Sequence, residues 1–312
     1  MNSFRICLTA IAPIFLIIAA GYAARRFGAI REEDVPRMNS VAFRFFMSCM
    51  CFYNVYASDL SSALRPRLIA FTVPGVLIAY VLSLIYGVLR VPRPEQRGVV
   101  IQGLFRSNYT ILGLPLAAGL FGSGEIGVAA VTSAVVVPIF NTLSVITLEV
   151  CSGKKPGIPK LLLAVAKNPL ILGTVAGLLM LALGIRLPAP LEKAAQMMSQ
   201  AASPLMLFLL GAFFRFRGLK DHWRQLLTVC LGRLVVIPAI AMSAAVALGF
   251  RGIELITLLT VFASSTAVAS FPMAQQQGGD AALAGDIVVA TSACASVTLF
   301  LWCFLFKSLN FF

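Results

Sequence analysis

The chain is divided into ten apolar runs, each long enough to form a helix that crosses a lipid bilayer. A crossing helix needs about 20 mostly apolar residues. The predicted spans are residues 4–24, 37–58, 68–90, 98–121, 125–149, 160–184, 190–214, 224–249, 252–277 and 281–306. Of the 312 residues, 59% are apolar and only 12% are charged. The sequence therefore predicts an all-α polytopic membrane protein surrounded by the lipid bilayer.

Lysine and arginine are distributed unevenly over the connections between these runs. If the N-terminus lies outside, the segments 25–37, 90–97, 154–167 and 215–224 are cytoplasmic and hold fifteen of the 25 basic residues, whereas the outer segments hold seven. Cytoplasmic connections carry such an excess, so both termini are predicted to lie outside the cytoplasm. The net charge of +13 resides in these short clusters and not on one basic face, which argues against a nucleic-acid partner.

The first span also resembles a cleaved signal peptide, because small residues follow its apolar run. Its charges Arg25 and Arg26 come after the run, whereas a signal peptide carries them before it. This order predicts a retained helix.

The sequence contains few residues suited to catalysis or metal binding. Seven cysteines lie mostly inside apolar runs without a CxxC pair, and His222 is the single histidine. A membrane enzyme would require paired carboxylates, a histidine cluster or an activated nucleophile at membrane depth. We therefore predict no metal site, no cofactor and no enzymatic activity.

A pattern in the first half of the chain recurs in the second half. A proline and two glycines with spacings of eight and seven residues appear twice at an offset of 156: Pro13, Gly21 and Gly28, and then Pro169, Gly177 and Gly184. Pro115 and Pro272 are related by an offset of 157, and "VTSA" (131–134) and "ATSA" (290–293) by 159. Because each half has an odd number of spans, the pattern predicts two inverted five-helix repeats. They would comprise residues 1–150 and 161–312, joined by a short cytoplasmic loop at 151–160.

The fourth and ninth spans are polar and contain proline at mid-membrane depth. They read "RSNYTILGLP" and "ASSTAVASFP" when aligned on Pro115 and Pro272, and Asn108 and Ser265 each lie seven residues before the proline. Proline kinks a helix or divides it into half-helices, and the freed backbone groups must face protein or a wet cavity. Two such helices in an inverted repeat meet near the bilayer midplane and bind substrate there. The alternative is a simple kink packed by neighbouring helices.

Over nearly its whole length the chain resembles the auxin efflux carrier family of secondary transporters. The resemblance rests on "SNYTILGLPLAAGLFG", "KNPLILGTVAGLL", "SSTAVASFPMAQQQGGD" and "VVATSACASVTL", in this order and spacing. The short central loop is similar to that of the bacterial branch, which includes proposed malonate and other organic-acid carriers. The resemblance implies a location in the bacterial inner membrane.

The resemblance also implies an architecture similar to that of bile-acid symporters and sodium/proton antiporters. Spans 1, 2, 6 and 7 would form a scaffold domain, and spans 3–5 and 8–10 a transport domain with crossover helices 4 and 9. An elevator-type exchange of access and a homodimer joined through the scaffold are implied as well. The family's crossover asparagine matches Asn108, and its crossover prolines match Pro115 and Pro272. The ninth span departs from plant members, which keep an amide where this chain has Ser264, Ser265 and Thr266.

Polar residues on and near the two interrupted spans are the candidates for substrate binding. They are Arg106, Asn108, Tyr109, Thr110, Gly113, Asn141, Ser265, Thr266, Ser270 and Ser292. Thr132, Ser133, Thr291 and Ser296 could line the same region or pack between helices. Asn108 is expected to donate a hydrogen bond to the substrate.

Three arginines and one aspartate lie within predicted spans, where ionisable residues often serve function. Arg44 and Arg233 are expected to extend back to the membrane interface. Arg106 lies two residues before Asn108, where its charge would attract or pair with a carboxylate. Asp286, about a turn and a half into the tenth span, is a candidate for ion coupling, or it faces the cytoplasmic cavity.

These features predict a secondary transporter of small organic anions such as mono- or dicarboxylates, with a proton or Na⁺ as the candidate coupling ion. The alternatives are a sodium-coupled symporter of the bile-acid type, an efflux carrier for auxin and other indole acids, and a passive channel. A shortage of carboxylates at the membrane midplane argues against sodium coupling.

Overall fold

The computed structural model describes residues 2–58, 65–122, 126–152 and 158–312, and its regular elements in these ranges are all helices. The α-helices are α1 (Asn2–Arg26), α2 (Val35–Val41), α3 (Ser48–Tyr56), α4 (Pro66–Arg90), α5 (Pro94–Phe105), α6 (Tyr109–Phe121), α7 (Ile126–Cys151), α8 (Ile158–Ala166), α9 (Pro169–Ala182), α10 (Ala189–Phe213), α11 (Phe216–Asp221), α12 (Trp223–Leu231), α13 (Ile237–Ala247), α14 (Gly252–Ala263), α15 (Ser270–Gln276) and α16 (Ala281–Ser308). Two π-helical turns, Ala42–Met47 and Gly232–Val236, join α2 to α3 and α12 to α13. The prediction of an all-α chain is confirmed.

The lengths and surfaces of these helices suit a bilayer. Four helical segments of the described residues are long and apolar enough to cross one: Pro66–Arg90, Gly127–Cys151, Trp223–Ala247 and Ala281–Ser308. Large apolar side chains are exposed on their outer sides, among them Leu82 and Leu89 of α4. Lipid tails are the environment in which such surfaces are stable. The chain is a multi-pass helical membrane protein.

Two of the predicted spans are interrupted in the middle. The fourth span consists of α5, which ends at Phe105, and α6, which begins at Tyr109. The ninth span consists of α14, which ends at Ala263, and α15, which begins at Ser270. The sequence attributed these interruptions to Pro115 and Pro272, but both prolines lie inside the second half-helices. The helices end earlier because the backbone turns extended immediately after α5 and α14.

The first halves of these two spans lie in the middle of the protein. Every residue of α14 from Leu255 to Ala263 is buried, and so is every residue of α5 from Gly98 to Phe105. A helix that is apolar all round and buried on all sides is surrounded by other helices and not by lipid. The two interruptions therefore lie where their polar groups can meet protein or a cavity.

Glycines allow two pairs of helices to pack closely. A β-carbon at Gly21 of α1 would lie 1.9 Å from the carbonyl oxygen of Phe208 in α10. A β-carbon at Gly177 of α9 would lie 2.6 Å from the carbonyl oxygen of Phe52 in α3. Neither position has room for a larger residue, because real β-carbons do not approach an oxygen so closely. The glycine pattern found in the sequence thus marks two helix contacts.

The structure describes only part of the predicted central loop. Helix α7 extends to Cys151 and α8 begins at Ile158. Of the predicted loop 151–160, residues 153–157 lie outside the described residues, as do Glu125 and the side chain of Cys7.

Candidate functional site

The two interrupted spans contact each other through their extended segments. The Asn108 amide donates to the carbonyl oxygen of Ser265 at 2.8 Å, and the Ala267 amide donates to that of Arg106 at 3.3 Å. Ser107 and Thr266 lie opposite each other in an isolated antiparallel bridge. The backbone groups freed by the interruptions are therefore paired across the contact, as buried peptide groups require.

The C-terminal ends of α5 and α14 are completed by side chains. The Thr266 hydroxyl donates to the Gly103 carbonyl at 2.8 Å, and the Ser107 hydroxyl donates to the Thr260 carbonyl at 3.2 Å. The last carbonyls of a helix have no partner within the helix and need partners of this kind. Hydroxyl residues at these positions therefore stabilise the two non-helical segments, residues 106–108 and 264–269, which we call the paired breaks.

Arg233 completes the same two helix ends. Its guanidinium donates to the carbonyls of Phe105 at 3.1 Å, Val261 at 2.8 Å and Ser264 at 3.0 Å, with a longer contact to Leu104 at 3.5 Å. Only 1% of the residue is exposed. The expectation that Arg233 extends to the membrane interface is wrong, because its donors are used by carbonyls in the protein interior. The Arg44 side chain is exposed.

A small cavity lies beside the contact between the breaks. It encloses about 50 Å³ of space accessible to water. Five of the predicted binding residues line it: Arg106, Asn108, Tyr109, Thr110 and Asn141. Residues 267–269, from the second break, also line the cavity. The cavity therefore brings together both interrupted spans and the fifth span.

Arg106 brings a positive charge to the wall of this cavity. The residue is 3% exposed, and its Nη2 donates to the Asn141 amide oxygen at 2.6 Å, while Nη1 contacts the sulfur of Met273. Among the described residues, no carboxylate forms a salt bridge with it. A buried charge is costly without a counter-charge. The Arg106 charge on the cavity wall is therefore not neutralised by a carboxylate of the described residues.

Asn108 also lines this cavity and has an unpaired donor. It is the residue before α6, but its side chain does not cap that helix, and its buried Nδ2 has no hydrogen-bond partner in the structure. Buried donors without partners are rare in folded proteins. The neighbouring hydroxyl of Thr110 is paired with that of Ser133 at 3.1 Å.

Tyr109 and Gly113 have roles in packing. The Tyr109 hydroxyl donates to the Ala129 carbonyl at 2.9 Å, so it is directed into the protein. A β-carbon at Gly113 would lie 2.9 Å from the Tyr109 ring, and Gly113 does not line the cavity.

The remaining predicted residues lie near the break but not on the cavity wall. Ser265, Thr266, Ser270 and Ser292 are buried and absent from the lining. The hydroxyls of Ser265, Ser270 and Ser292 have no hydrogen-bond partner in the structure. The Thr266 amide donates to the hydroxyl oxygen of Thr291 at 3.1 Å.

Other lining residues were not predicted from the sequence. Those from the second and seventh spans are Met47, Met50, Ala202, Ser203 and Met206. They carry no signal in the sequence, because methionine, alanine and a single serine in an apolar run are indistinguishable from residues that pack between helices. Flexible methionines adapt to ligands of different shape.

Asp286 lies away from this cavity. Its carboxylate accepts a hydrogen bond of 2.8 Å from Nδ1 of His222 and lines a separate cavity with Phe213 and Arg215. Asp280 caps α16 at the Leu283 amide and accepts from Gln96. Asp286 is therefore not a direct ligand of anything bound between Arg106 and Asn108.

Comparison with known proteins places the chain among membrane transporters. A family model described as "Membrane transport protein" matches residues 6–155 and 157–303. An "Uncharacterized transporter" of Methanothermobacter thermautotrophicus is 24% identical over 93% of the chain and 95% of the relative. Another from Methanocaldococcus jannaschii is 22% identical, with 93% and 95% covered. The "Putative malonate transporter" of Rhizobium meliloti is 26% identical over 92% of both chains.

Proposed function

The chain belongs to the membrane transport protein family, the auxin efflux carriers that its motifs resemble, and from this premise we propose that it is a secondary transporter of small organic anions. The observation that carries the proposal is the buried guanidinium of Arg106, which faces a cavity without a neutralising carboxylate among the described residues. A carboxylate entering this cavity would pair with Arg106 through charge-assisted hydrogen bonds.

Asn108 and the start of α6 complete the anion site. The Nδ2 group of Asn108 supplies a neutral donor, and residues 109–111 at the start of α6 also line the cavity. The N-terminal end of a helix carries about half a positive charge, which favours an anion there. Substrate binding would satisfy a donor that is otherwise buried and unpaired.

The size of the cavity supports a small substrate such as a mono- or dicarboxylate. About 50 Å³ of space is available in this conformation. An indole acid would require the cavity to widen, so auxin-like substrates are the less favoured alternative. The resemblance to a "Putative malonate transporter" is in keeping with a short dicarboxylate.

Two glycine contacts support an inverted-repeat architecture of ten spans. Gly21 approaches the Phe208 carbonyl, and Gly177, offset by 156, approaches that of Phe52, which is offset from Phe208 by the same number. Helix α1 thus packs on α10 as α9 packs on α3. Equivalent contacts in the two halves are expected when one supersecondary unit is used twice.

The mechanism proposed for this architecture is elevator-type alternating access. Spans 1, 2, 6 and 7 would form the scaffold, and the interrupted spans would move with spans 3, 5, 8 and 10. The cavity supports this division, because it lies between residues of spans 4, 5 and 9 on one side and Met47, Ala202 and Met206 on the other. We further propose a homodimer in the bacterial inner membrane, with both termini outside the cytoplasm.

Uptake by proteoliposomes tests the proposal. Purified protein should catalyse saturable malonate or succinate uptake that is accelerated by unlabelled carboxylate on the opposite side. A passive channel would show no such trans-stimulation. If a panel of carboxylates and indole acids neither stabilises the protein against heat nor is transported, the proposal fails.

A further inference from the structure

Arg233 is the second buried guanidinium near the paired breaks, and it does not line the cavity beside Arg106. All three of its nitrogens donate to backbone carbonyls at the ends of α5 and α14. None of the salt bridges among the described residues includes it. Its charge must therefore be balanced by the backbone.

The two helix ends can supply that balance. The C-terminal end of a helix carries about half a negative charge, concentrated on its unpaired carbonyls. Two such ends meeting at one point carry about one negative charge together, which matches one guanidinium. The hydroxyls of Thr266 and Ser107 are neutral, so they contribute hydrogen bonds but no charge.

The local backbone allows Arg233 to reach this position. The residue lies in the π-helical turn Gly232–Val236, and such turns often occur at functional positions. A β-carbon at Gly232 would lie 2.5 Å from Cδ2 of Leu104, so a side chain at this position would have to displace that methyl group of α5.

We infer that the Arg233 guanidinium is a permanent cation bound at the paired breaks. It takes the position that a coupling metal ion occupies in carriers whose half-helix carbonyls have no other partner. In inverted-repeat transporters, carbonyls at the C-terminal ends of half-helices coordinate Na⁺. Here those carbonyls are already bound by Arg233. The inference rests on the proposed function, and it argues against the sodium-coupled alternative.

Arg233 is accordingly a positioning residue for the anion site. It binds Phe105 and Ser264, which directly precede Arg106 and Ser265. The Ser265 carbonyl in turn holds the amide of Asn108. Loss of the charge would loosen both ends of the contact that places the two donors facing the substrate.

The first experiment uses the wild-type protein. Carboxylate uptake in proteoliposomes and thermal unfolding are measured in Na⁺ and in choline at equal ionic strength. We expect the uptake rate and the thermal midpoint in Na⁺ to equal those in choline. Uptake that requires Na⁺, or a midpoint raised by Na⁺ but not by choline, would overturn the inference.

The second experiment removes the charge from the side chain. Arg233→Met keeps much of the length, Arg233→Lys keeps the charge, and Arg233→Ala leaves a space; Arg44→Ala is the matched control at an exposed arginine. Arg233→Met should lower uptake at least about tenfold, whereas Arg233→Lys should retain more activity than Arg233→Met. Equal activity in wild type and Arg233→Met would contradict a role for the charge.

Chemical rescue separates charge from shape. Millimolar guanidinium should raise the thermal midpoint and uptake of Arg233→Ala, while urea, a neutral molecule of similar shape, should raise neither. Equal effects of the two would overturn the inference, as would identical rescue of Arg44→Ala. If no Arg233 variant yields folded protein, the wild-type sodium test decides.

Failure of the proposed function is recognised separately. If the wild type neither binds nor transports any carboxylate, the anion proposal falls. The thermal midpoint of substrate-free Arg233→Ala still reports whether a guanidinium cation is required at the paired breaks.

Discussion

Arg106 and Asn141 are joined by a hydrogen bond of 2.6 Å between the guanidinium Nη2 and the amide oxygen. The bond holds the arginine against the cavity wall without neutralising its charge. Asn141 is itself fixed, because its Nδ2 contacts the sulfur of Cys51 at 3.2 Å. A neutral partner that orients a cation while leaving its charge available suits a site where an anion binds and leaves.

Replacing Arg106 should weaken carboxylate binding more than it affects folding. A hydrogen bond to a charged group contributes about 1.5–3 kcal/mol, so Arg106→Gln should raise the Kd about 10- to 100-fold. Arg106→Lys keeps the charge but loses the two-nitrogen geometry, and an intermediate Kd is expected. Isothermal titration with malonate measures both. An unchanged Kd in Arg106→Gln would exclude contact with the substrate.

Asn108→Ala should abolish transport without destabilising the protein. The Nδ2 group is buried and unpaired, so its removal costs no internal hydrogen bond and leaves the free energy of unfolding within about 1 kcal/mol of wild type. Ser144→Ala is the matched control, since its hydroxyl is also buried and unpaired but does not line the cavity. Normal uptake by Asn108→Ala would show that Asn108 does not bind the substrate.

The all-helical, multi-pass character of the chain could be predicted because membrane-spanning runs are long and uniformly apolar. Arg106, Asn108 and Asn141, which line the cavity, also stand out in the sequence, since an ionisable or amide side chain in such a run is conspicuous. Pro115 was a less accurate guide, because proline can be accommodated within α6 and the interruption itself depends on contact with the second break. That contact joins residues more than 150 positions apart.

Arg233 shows what the sequence could not reveal. A long cationic side chain in an apolar run is expected to reach water, and only the convergence of two helix ends around it provides another partner. The same applies to Met47 and Met206, whose position on the cavity wall depends on how the second and seventh spans pack. Such features arise from tertiary structure and leave no local signal.

The two glycine contacts should be equally intolerant of a side chain. Gly21→Ala and Gly177→Ala each place a methyl group against a backbone carbonyl, which cannot move aside as a side chain would. Overpacking of this kind costs about 1–3 kcal/mol, so both thermal midpoints should fall. Ala20→Leu, at the exposed neighbour of Gly21, is the control and should have little effect. A wild-type midpoint in either variant would contradict close packing there.

The proposed orientation predicts opposite accessibility of the two faces. In a variant without its native cysteines, Ser308→Cys at the end of α16 should react with a membrane-impermeant maleimide on intact cells. Arg93→Cys, before α5, should react only after permeabilisation. Both replaced residues are exposed, so labelling depends on the side of the membrane. The reverse pattern would show that the excess of positive charge does not set this topology.

Asp286 should affect stability and coupling without contributing to substrate affinity. Its carboxylate is hydrogen-bonded to His222 at 2.8 Å and faces a different cavity from Arg106. Asp286→Asn weakens that charge-assisted bond, so the free energy of unfolding should fall by about 1–3 kcal/mol. The malonate Kd should stay within about twofold of wild type, since no ligand atom is removed.

Glu254→Gln, a half-buried carboxylate at the start of α14, should change neither quantity. A large loss of affinity in Asp286→Asn would place the aspartate in the binding site. If Asp286 takes up a coupling proton, the same variant should bind malonate normally and lose stimulation of uptake by a pH gradient.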